Sequence, residues 1–365
     1  ECWECCKIGL RAFDLNEYFK NKYINVHSQV KQNVNSRLET SFKNFFSKRN
    51  KYPKFKSRSQ YRSFTYSQSG FKLINDKKMK LSGIGEVKII LHRPIIGKIK
   101  TCTLKLSKSN NWYIIFSVEQ TEQDFFEIPT SINKNAVGLD IGIKTFASLS
   151  DGIQIENPRF LINSENRLKK AQRKLSCKKK GSQNRKKQIK KLAKLHEHVC
   201  NQRKNFHFQT AHWLVNTYGL VAVEDLSPKF MIKNHKLAKH ASDIAVSQFF
   251  DILTYEAYKH QTLVGAINTK NTSQMCSCCK NLVLKDLSVR IHQCPYCGFV
   301  CDRDINASIN IINGIPDNFK QEYNLLRNDT TGTVGILTPV EMIASIQKSS
   351  ICEQALSAKQ EAHNL

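Results

Sequence analysis

Two cysteine pairs, Cys276-x2-Cys279 and Cys294-x2-Cys297, stand with fourteen residues between them. No other feature restricts the folding of this chain as tightly. Four thiolates at that spacing make the ligand set of a tetrahedral zinc ion, so residues 271–300 are expected to fold as a small clipped hairpin, a zinc ribbon. Six of the thirteen cysteines fall between Cys276 and Cys301. A disulfide framework would be spread over the fold, whereas clustered CxxC pairs point to metal in a reducing compartment. Cys278 and Cys301 are further thiols in the same stretch, and either could stand in for one of the four. Four thiolates leave no open coordination position, which makes such a zinc structural rather than catalytic.

Acids follow the ribbon directly. Asp302 and Asp304 precede INASINIINGI, where Ile305, Ile309 and Ile312 recur at helical spacing and Gly314 can end the helix. Two more acids sit in apolar strands: Asp140 inside AVGLDIGI and Glu224 at the end of GLVAVE. A carboxylate in such a strand is costly unless it is paired or meets a cation. Two strand carboxylates and one at a helix start are hard oxygen ligands suited to Mg²⁺. Two such ions can activate a water and stabilise the leaving oxygen in phosphodiester hydrolysis. By spacing, either Asp302 or Asp304 can be the third ligand, and Asp304 can equally be a helix N-cap.

The rest of the chain supplies a polyanion-binding surface. Lys and Arg number 57 against 30 Asp and Glu, a formal charge of +27, and nucleic acid is the usual partner of so basic a chain. Residues 165–204 hold sixteen Lys/Arg and two Glu, which predicts one or two long basic helices broken near Gly181 and facing an RNA or DNA backbone. Residues 41–66 hold eight Lys/Arg, no acid and eight Phe/Tyr, a mixture suited to phosphate contacts and base stacking. From these stretches Lys54, Lys56, Arg58, Lys178, Lys179, Lys180, Arg185, Lys186 and Lys187 are candidate contacts. No run of eighteen apolar residues occurs, so no membrane-spanning helix is expected.

The pattern divides the chain into an α/β multi-domain protein. Residues 1–50 read as helical and 51–130 as a β-barrel-like domain, with GEVKIILH, KTCTLKLS and WYIIFSVE as strands. The segment 131–270 is α/β, with Asp151-Gly152 marking a hairpin turn and 242–262 an amphipathic helix. The ribbon at 271–300 follows, then 301–327, and 328–365 reads as a poorly ordered tail.

GLDIGIKTFAS, VAVEDLSPKFM, CSCC…CPYCG and DRDINASINI, in this order, resemble the OrfB/TnpB family of insertion-sequence proteins, relatives of the type V CRISPR effectors. YPKFKSR…YRSFTYSQSGFK and HRPIIGKIKT resemble the family's wedge region, and SAKQEAHNL its C-terminus. The resemblance spans nearly the whole chain. It implies an RNase H-like RuvC nuclease domain with the zinc ribbon inserted, preceded by a helical recognition region and the wedge. It assigns the catalytic, Mg²⁺-binding acids to Asp140, Glu224 and Asp304, choosing Asp304 over Asp302. It implies a guide RNA and target double-stranded DNA as partners, no membrane, and a cytoplasmic or nucleoid-associated setting. It also implies a first strand ahead of Glu1, part of the wedge in relatives, and so an N-terminus expected to be truncated here. CxxCK stands where the family has CxxCG. The function implied is RNA-guided DNA cleavage. Its rivals are a guided DNA-binding protein without cleavage and an unguided RuvC-like resolvase or transposase.

Overall fold

The computed structural model describes residues 11–57, 60–121, 135–225, 237–267, 271–286 and 289–316. The chain forms two compact units, residues 1–125 with 179–194, and residues 126–178 with 195–365. Among the described residues, no helix is long and apolar enough to cross a membrane.

The first unit opens with helices α1 (Ala12–Tyr18) and α2 (Ser28–Phe46). Six strands follow: β1 (Ser63–Tyr66), β2 (Phe71–Asn75), β3 (Lys78–Leu81), β4 (Gly85–Lys88), β5 (Lys98–Leu106) and β6 (Trp112–Glu119). They make two three-stranded antiparallel sheets, β1-β5-β6 and β2-β3-β4. Both sheets feed one core of Tyr66, Met79, Leu81, Ile89, Cys102 and Leu104. GEVKIILH is strand only over Gly85–Lys88; beyond it Ile89 turns into the core while Ile90 is exposed. Phe42, Phe45, Phe46 and Tyr52 pack on one another, so part of the aromatic content of 41–66 is spent on local packing. Phe55 is fully exposed.

The second unit is built on a five-stranded mixed sheet of β7 (Ala136–Ile141), β8 (Thr145–Leu149), β9 (Gln154–Glu156), β10 (Leu220–Glu224) and β11 (Leu263–Ile267), in the order β11-β10-β7-β8-β9. The first three strands form an antiparallel meander, turned at Asp151-Gly152, while β10 lies parallel to both β7 and β11. Between β9 and β10 run α3 (Phe160–Ser176) and α4 (Gln183–Thr217), interrupted at 177–182. Arg159, before α3, has left-handed backbone (φ 49°) and offers no capping side chain. The carboxylate of Asp243 caps α3 instead, accepting the Leu161 amide at 3.0 Å.

The amphipathic stretch 242–262 is not one helix. It divides into α5 (Ala238–Ile244) and α6 (Val246–Lys259) at Ala245, whose φ is 49°. The left-handed residue redirects the chain so that Ile244 and Val246 both reach the core. Beyond the ribbon strands β12 (Ile291–Gln293) and β13 (Val300–Asp302) comes α7 (Arg303–Asn313).

Strand alternation decides what each face of the sheet meets. Val137, Leu139, Ile141, Val221 and Val223 point into the core shared with Leu214, Phe249 and Leu253. Leu220, Ala222, Leu263 and Ile267 point the other way, against Ile311 and Ile315. The sheet is therefore covered by helices on one side and by the α7 region on the other. α7 does not bury the stripe Ile305, Ile309, Ile312; its buried residues are Asn306, Ala307, Ser308, Asn310 and Ile311. Asn306 and Asn310 are buried because they bond to the ribbon, and Ser308 because it lies on Gly138 of β7.

Candidate active site and metal centre

The period of two that sorts the core also places the acids. Gly138 and Asp140 fall on the face of β7 opposite Val137 and Leu139, the α7 side. Glu224 falls on the same side of β10, two residues after Ala222. The strands pair in register up to Val223 and Leu139, so Glu224 and Asp140 are the next positions on adjacent parallel strands.

α7 closes the set from above. A Cβ on Gly138 would stand 2.0 Å from the Ser308 carbonyl oxygen and 2.9 Å from the Ile312 nitrogen, so only glycine lets the helix settle this close. Asp304 is one turn before Ser308, and Asp140 is two residues after Gly138. The helix rise of about 6 Å over four residues nearly matches the strand rise of about 6.6 Å over two. Asp304 therefore arrives over Asp140, and its charge is the strongest of the neighbouring charges acting on that residue. Burial first, then Asp304 and Glu224, push the Asp140 carboxyl up to about 7.

Asp302 has another task. It is the N-cap of α7, its Oδ1 accepting the Asp304 amide at 2.8 Å and the Ile305 amide at 3.4 Å. Asp304 Oδ1 accepts from Arg303 at 3.1 and 3.2 Å, and Arg290 stands 3.7 Å from Oδ2. The Glu224 Oε1 atom meets the Thr272 hydroxyl at 3.5 Å. The oxygens of Asp140, Glu224 and Asp304 are not drawn into one tight knot. Among the described residues, only the four cysteines and a separate His212, Glu256, His260 group have ligand atoms within 4.8 Å of one another. Three half-buried carboxylates on one face offer the hard oxygen donors that suit Mg²⁺. A pocket of about 270 Å³ beside it is lined by Glu224, Thr272, Lys285 and Arg303 among others.

The thiols fit zinc more directly. The sulfurs of Cys276 and Cys297 lie 3.7 Å apart and those of Cys279 and Cys294 3.5 Å apart. Tetrahedral zinc with bonds of about 2.3 Å sets its sulfurs about 3.8 Å apart. Cys276 and Cys294 are buried, and Cys278 is exposed outside the cluster. The thiols share their protons unevenly: the Asn281 amide and the neighbouring sulfurs hold Cys279 down to about 6, while burial and the same sulfurs push Cys297 up to about 12.

The ribbon is tied to α7 by two asparagines that spacing rules did not flag. Asn306 Oδ1 accepts the Ser277 amide at 2.9 Å, and its Nδ2 donates to the Met275 carbonyl at 2.7 Å. Asn310, one turn on, donates to the carbonyls of Thr272 and Met275. Their i, i+4 spacing in INASINI was the available signal. Of the candidate nucleic-acid contacts, Lys54, Lys56, Lys178, Lys179, Lys180, Lys186 and Lys187 are exposed and Arg185 is partly buried. Arg58 and the tail 328–365 lie outside the described residues.

Comparison with known proteins gives the class. The family model described as "Probable transposase", OrfB of IS605, matches residues 115–235, and "Cas12f1-like, TNB domain" matches 247–311. A protein of Streptomyces pristinaespiralis named "Putative RNA-guided DNA endonuclease" is 34% identical over 307 residues, 82% of this chain and 75% of its own. A similarly named protein of Escherichia coli is 29% identical over 304 residues, 78% of this chain and 74% of its own. In a cryo-EM structure of a Cas12f1–sgRNA–target DNA complex, the matching chain shares the fold with a TM-score of 0.50 at 14% identity, over 78% of this chain and 71% of that one. Fold and matches together define a mixed α/β protein of the transposon-encoded and Cas12f1-like class. The chain belongs to the OrfB/TnpB family of insertion-sequence proteins.

Proposed function

We propose that this protein is a transposon-encoded, RNA-guided DNA endonuclease that hydrolyses the DNA backbone with Mg²⁺ held by Asp140, Glu224 and Asp304. The observation that carries the reading is the gathering of three acids on one face: two at matching height on parallel strands, the third brought over them by the Gly138–Ser308 contact. The names of the relatives supply the guide and the DNA. A charge of +27 supports a polyanion partner.

On this reading the five-stranded sheet with α3–α7 is the RuvC-like, RNase H-type body, 271–300 its inserted zinc ribbon, 51–130 the wedge and 1–50 a recognition region. Mg²⁺ bound by the three carboxylates supplies the positive charge that activates water and stabilises the leaving oxygen. The protein's own groups prepare that site. Burial and the neighbouring acids raise the Asp140 carboxyl to about 7, a shift that a cation held among the three would relieve. Arg303 orients Asp304, and Asp302 holds the helix start. The four cysteines hold a structural zinc, and the ribbon anchors α7. Base pairing with the guide gives sequence specificity, while the basic segments hold the nucleic-acid backbones.

The test is plasmid cleavage by the protein purified with its RNA, run beside a binding assay. Asp140→Ala, Glu224→Ala and Asp304→Ala should each abolish Mg²⁺-dependent cutting and retain guided DNA binding. Robust cutting by any of the three, or cutting indifferent to removal of Mg²⁺, overturns the metal-ion reading. Cutting by protein stripped of RNA would make it an unguided nuclease.

A further inference from the structure

We propose that His212, Glu256 and His260 form a second zinc site, separate from both the ribbon and the three acids. His212 projects from α4, Glu256 from α6, and His260 ends α6 four residues later, on the same side as Glu256. One ligand atom from each lies within 4.8 Å of the others. His212 Nδ1 is 3.4 Å from Glu256 Oε2, and His260 Nε2 is 3.7 Å from the same oxygen. Zinc with bonds of about 2.0–2.1 Å sets tetrahedral ligands about 3.4 Å apart. Of the three edges, His212–Glu256 already has that length, His260–Glu256 needs to close by a few tenths of an ångström, and His212–His260 lies within 4.8 Å.

The surroundings favour an ion over a plain histidine–carboxylate pair. The Glu256 side chain is only 9% exposed, and among the described residues no Lys or Arg pairs with it. A buried carboxylate needs a countercharge. Two imidazoles give one only by taking up a proton, whereas a divalent ion gives it with both rings neutral. Two imidazoles and a carboxylate are a donor set suited to zinc. The Asn216 amide lies 3.0 Å from His212 Nε2. Turned with its oxygen inward, it accepts that N–H and leaves the Nδ1 lone pair facing the site, the usual support for a metal-bound imidazole. The His212 side chain is 54% exposed, which gives an ion access and leaves water the fourth position.

The site lies where α4 and α6 run out ahead of β10 and β11, at the start of the strands whose far ends approach the acids. An ion there joins the ends of two helices that pack on the same face of the sheet. Its role is a clip on the scaffold, and it does not rest on the proposed nuclease reading.

The experiment uses the full chain with its ribbon zinc in place. Loose metal is dialysed away, and Zn²⁺ is titrated back by calorimetry while zinc content and melting temperature are followed. Wild type should take up one further zinc per chain and melt higher when loaded. His212→Ala, a change at a half-exposed position, and Glu256→Gln should each weaken that uptake at least about tenfold. Both should keep the ribbon zinc. No uptake beyond the ribbon zinc at about 100 µM free Zn²⁺, or uptake unchanged in both variants, overturns the proposal and leaves the three residues as a metal-free hydrogen-bonded group.

Discussion

Gly138 lies under Ser308 so closely that a methyl group would stand 2.0 Å from the Ser308 carbonyl oxygen. The obstacle is helix backbone, which cannot rotate aside as a side chain can. Gly138→Ala must lift α7 from the sheet, breaking its packing against Leu220, Leu263 and Ile267 and separating Asp304 from Asp140. Overpacking of this kind costs about 1–3 kcal/mol. Thermal unfolding should show the loss, and cutting should fall further than stability explains at a temperature where the variant is folded. An unchanged melting temperature would mean that α7 is not seated on β7.

The asparagine ties predict a coupling between zinc and α7. Asn306→Ala removes the acceptor of the Ser277 amide and a donor to Met275. The Met275 carbonyl keeps its bond from Asn310, but the buried Ser277 amide is left unmet, at a cost of about 1–3 kcal/mol. The variant should release zinc to a chelator faster than wild type. Asn306→Asp keeps the acceptor and should fall between them. Equal release rates in all three proteins would show that the ribbon holds its ion without help from α7.

Asp302 and Asp304 should separate in two assays. Losing the N-cap in Asp302→Ala should lower stability by about 1 kcal/mol, and Asp302→Asn, which can still cap, should restore most of it. Both variants should retain substantial cutting. Asp304→Asn should lose cutting while melting close to wild type. Retained cutting in Asp304→Asn with loss in Asp302→Asn would move the third ligand by two residues.

What could be read from the sequence follows the range of the forces involved. Thiol spacing is local, so Cys276, Cys279, Cys294 and Cys297 could be named before their sulfurs were seen together. An acid in an apolar strand is also a local anomaly, and it marked Asp140 and Glu224. Period alone could not choose between Asp302 and Asp304, because the choice turns on which carboxylate bends back to its own helix. It also misassigned the buried face of α7: Asn306 and Asn310 look like surface residues until the Met275 carbonyl meets them. The break at Ala245 was hidden for a related reason, since alanine gives no local warning of a left-handed turn imposed by packing. His212, Glu256 and His260 come together only through the pairing of two distant helices.

The last prediction concerns acid, where two shifted groups oppose each other. His207 is buried against Phe146 and Phe249. Burial first, and then the Arg203 charge, pull its imidazole down to about 4 from 6.5. The unfolded chain therefore binds more protons than the fold between those values, and stability is lost as pH falls through that window, by about 3 kcal/mol at the limit. Asp140 has the opposite sign. Its carboxyl is raised from 3.8 to about 7, so the fold binds the extra proton and stability is lost as pH rises from 3.8 to 7. Over most of pH 4–6.5 the two slopes cancel in part. In buffer without Mg²⁺, His207→Phe should keep the aromatic packing and become relatively more stable as pH falls. Asp140→Asn should gain most over wild type near pH 8 and lose that advantage near pH 4. Melting curves of the three proteins across this range check both signs. If Asp140→Asn gains nothing at pH 8, the acids are not crowded as described. If His207→Phe keeps the wild-type profile, His207 does not titrate as its burial requires.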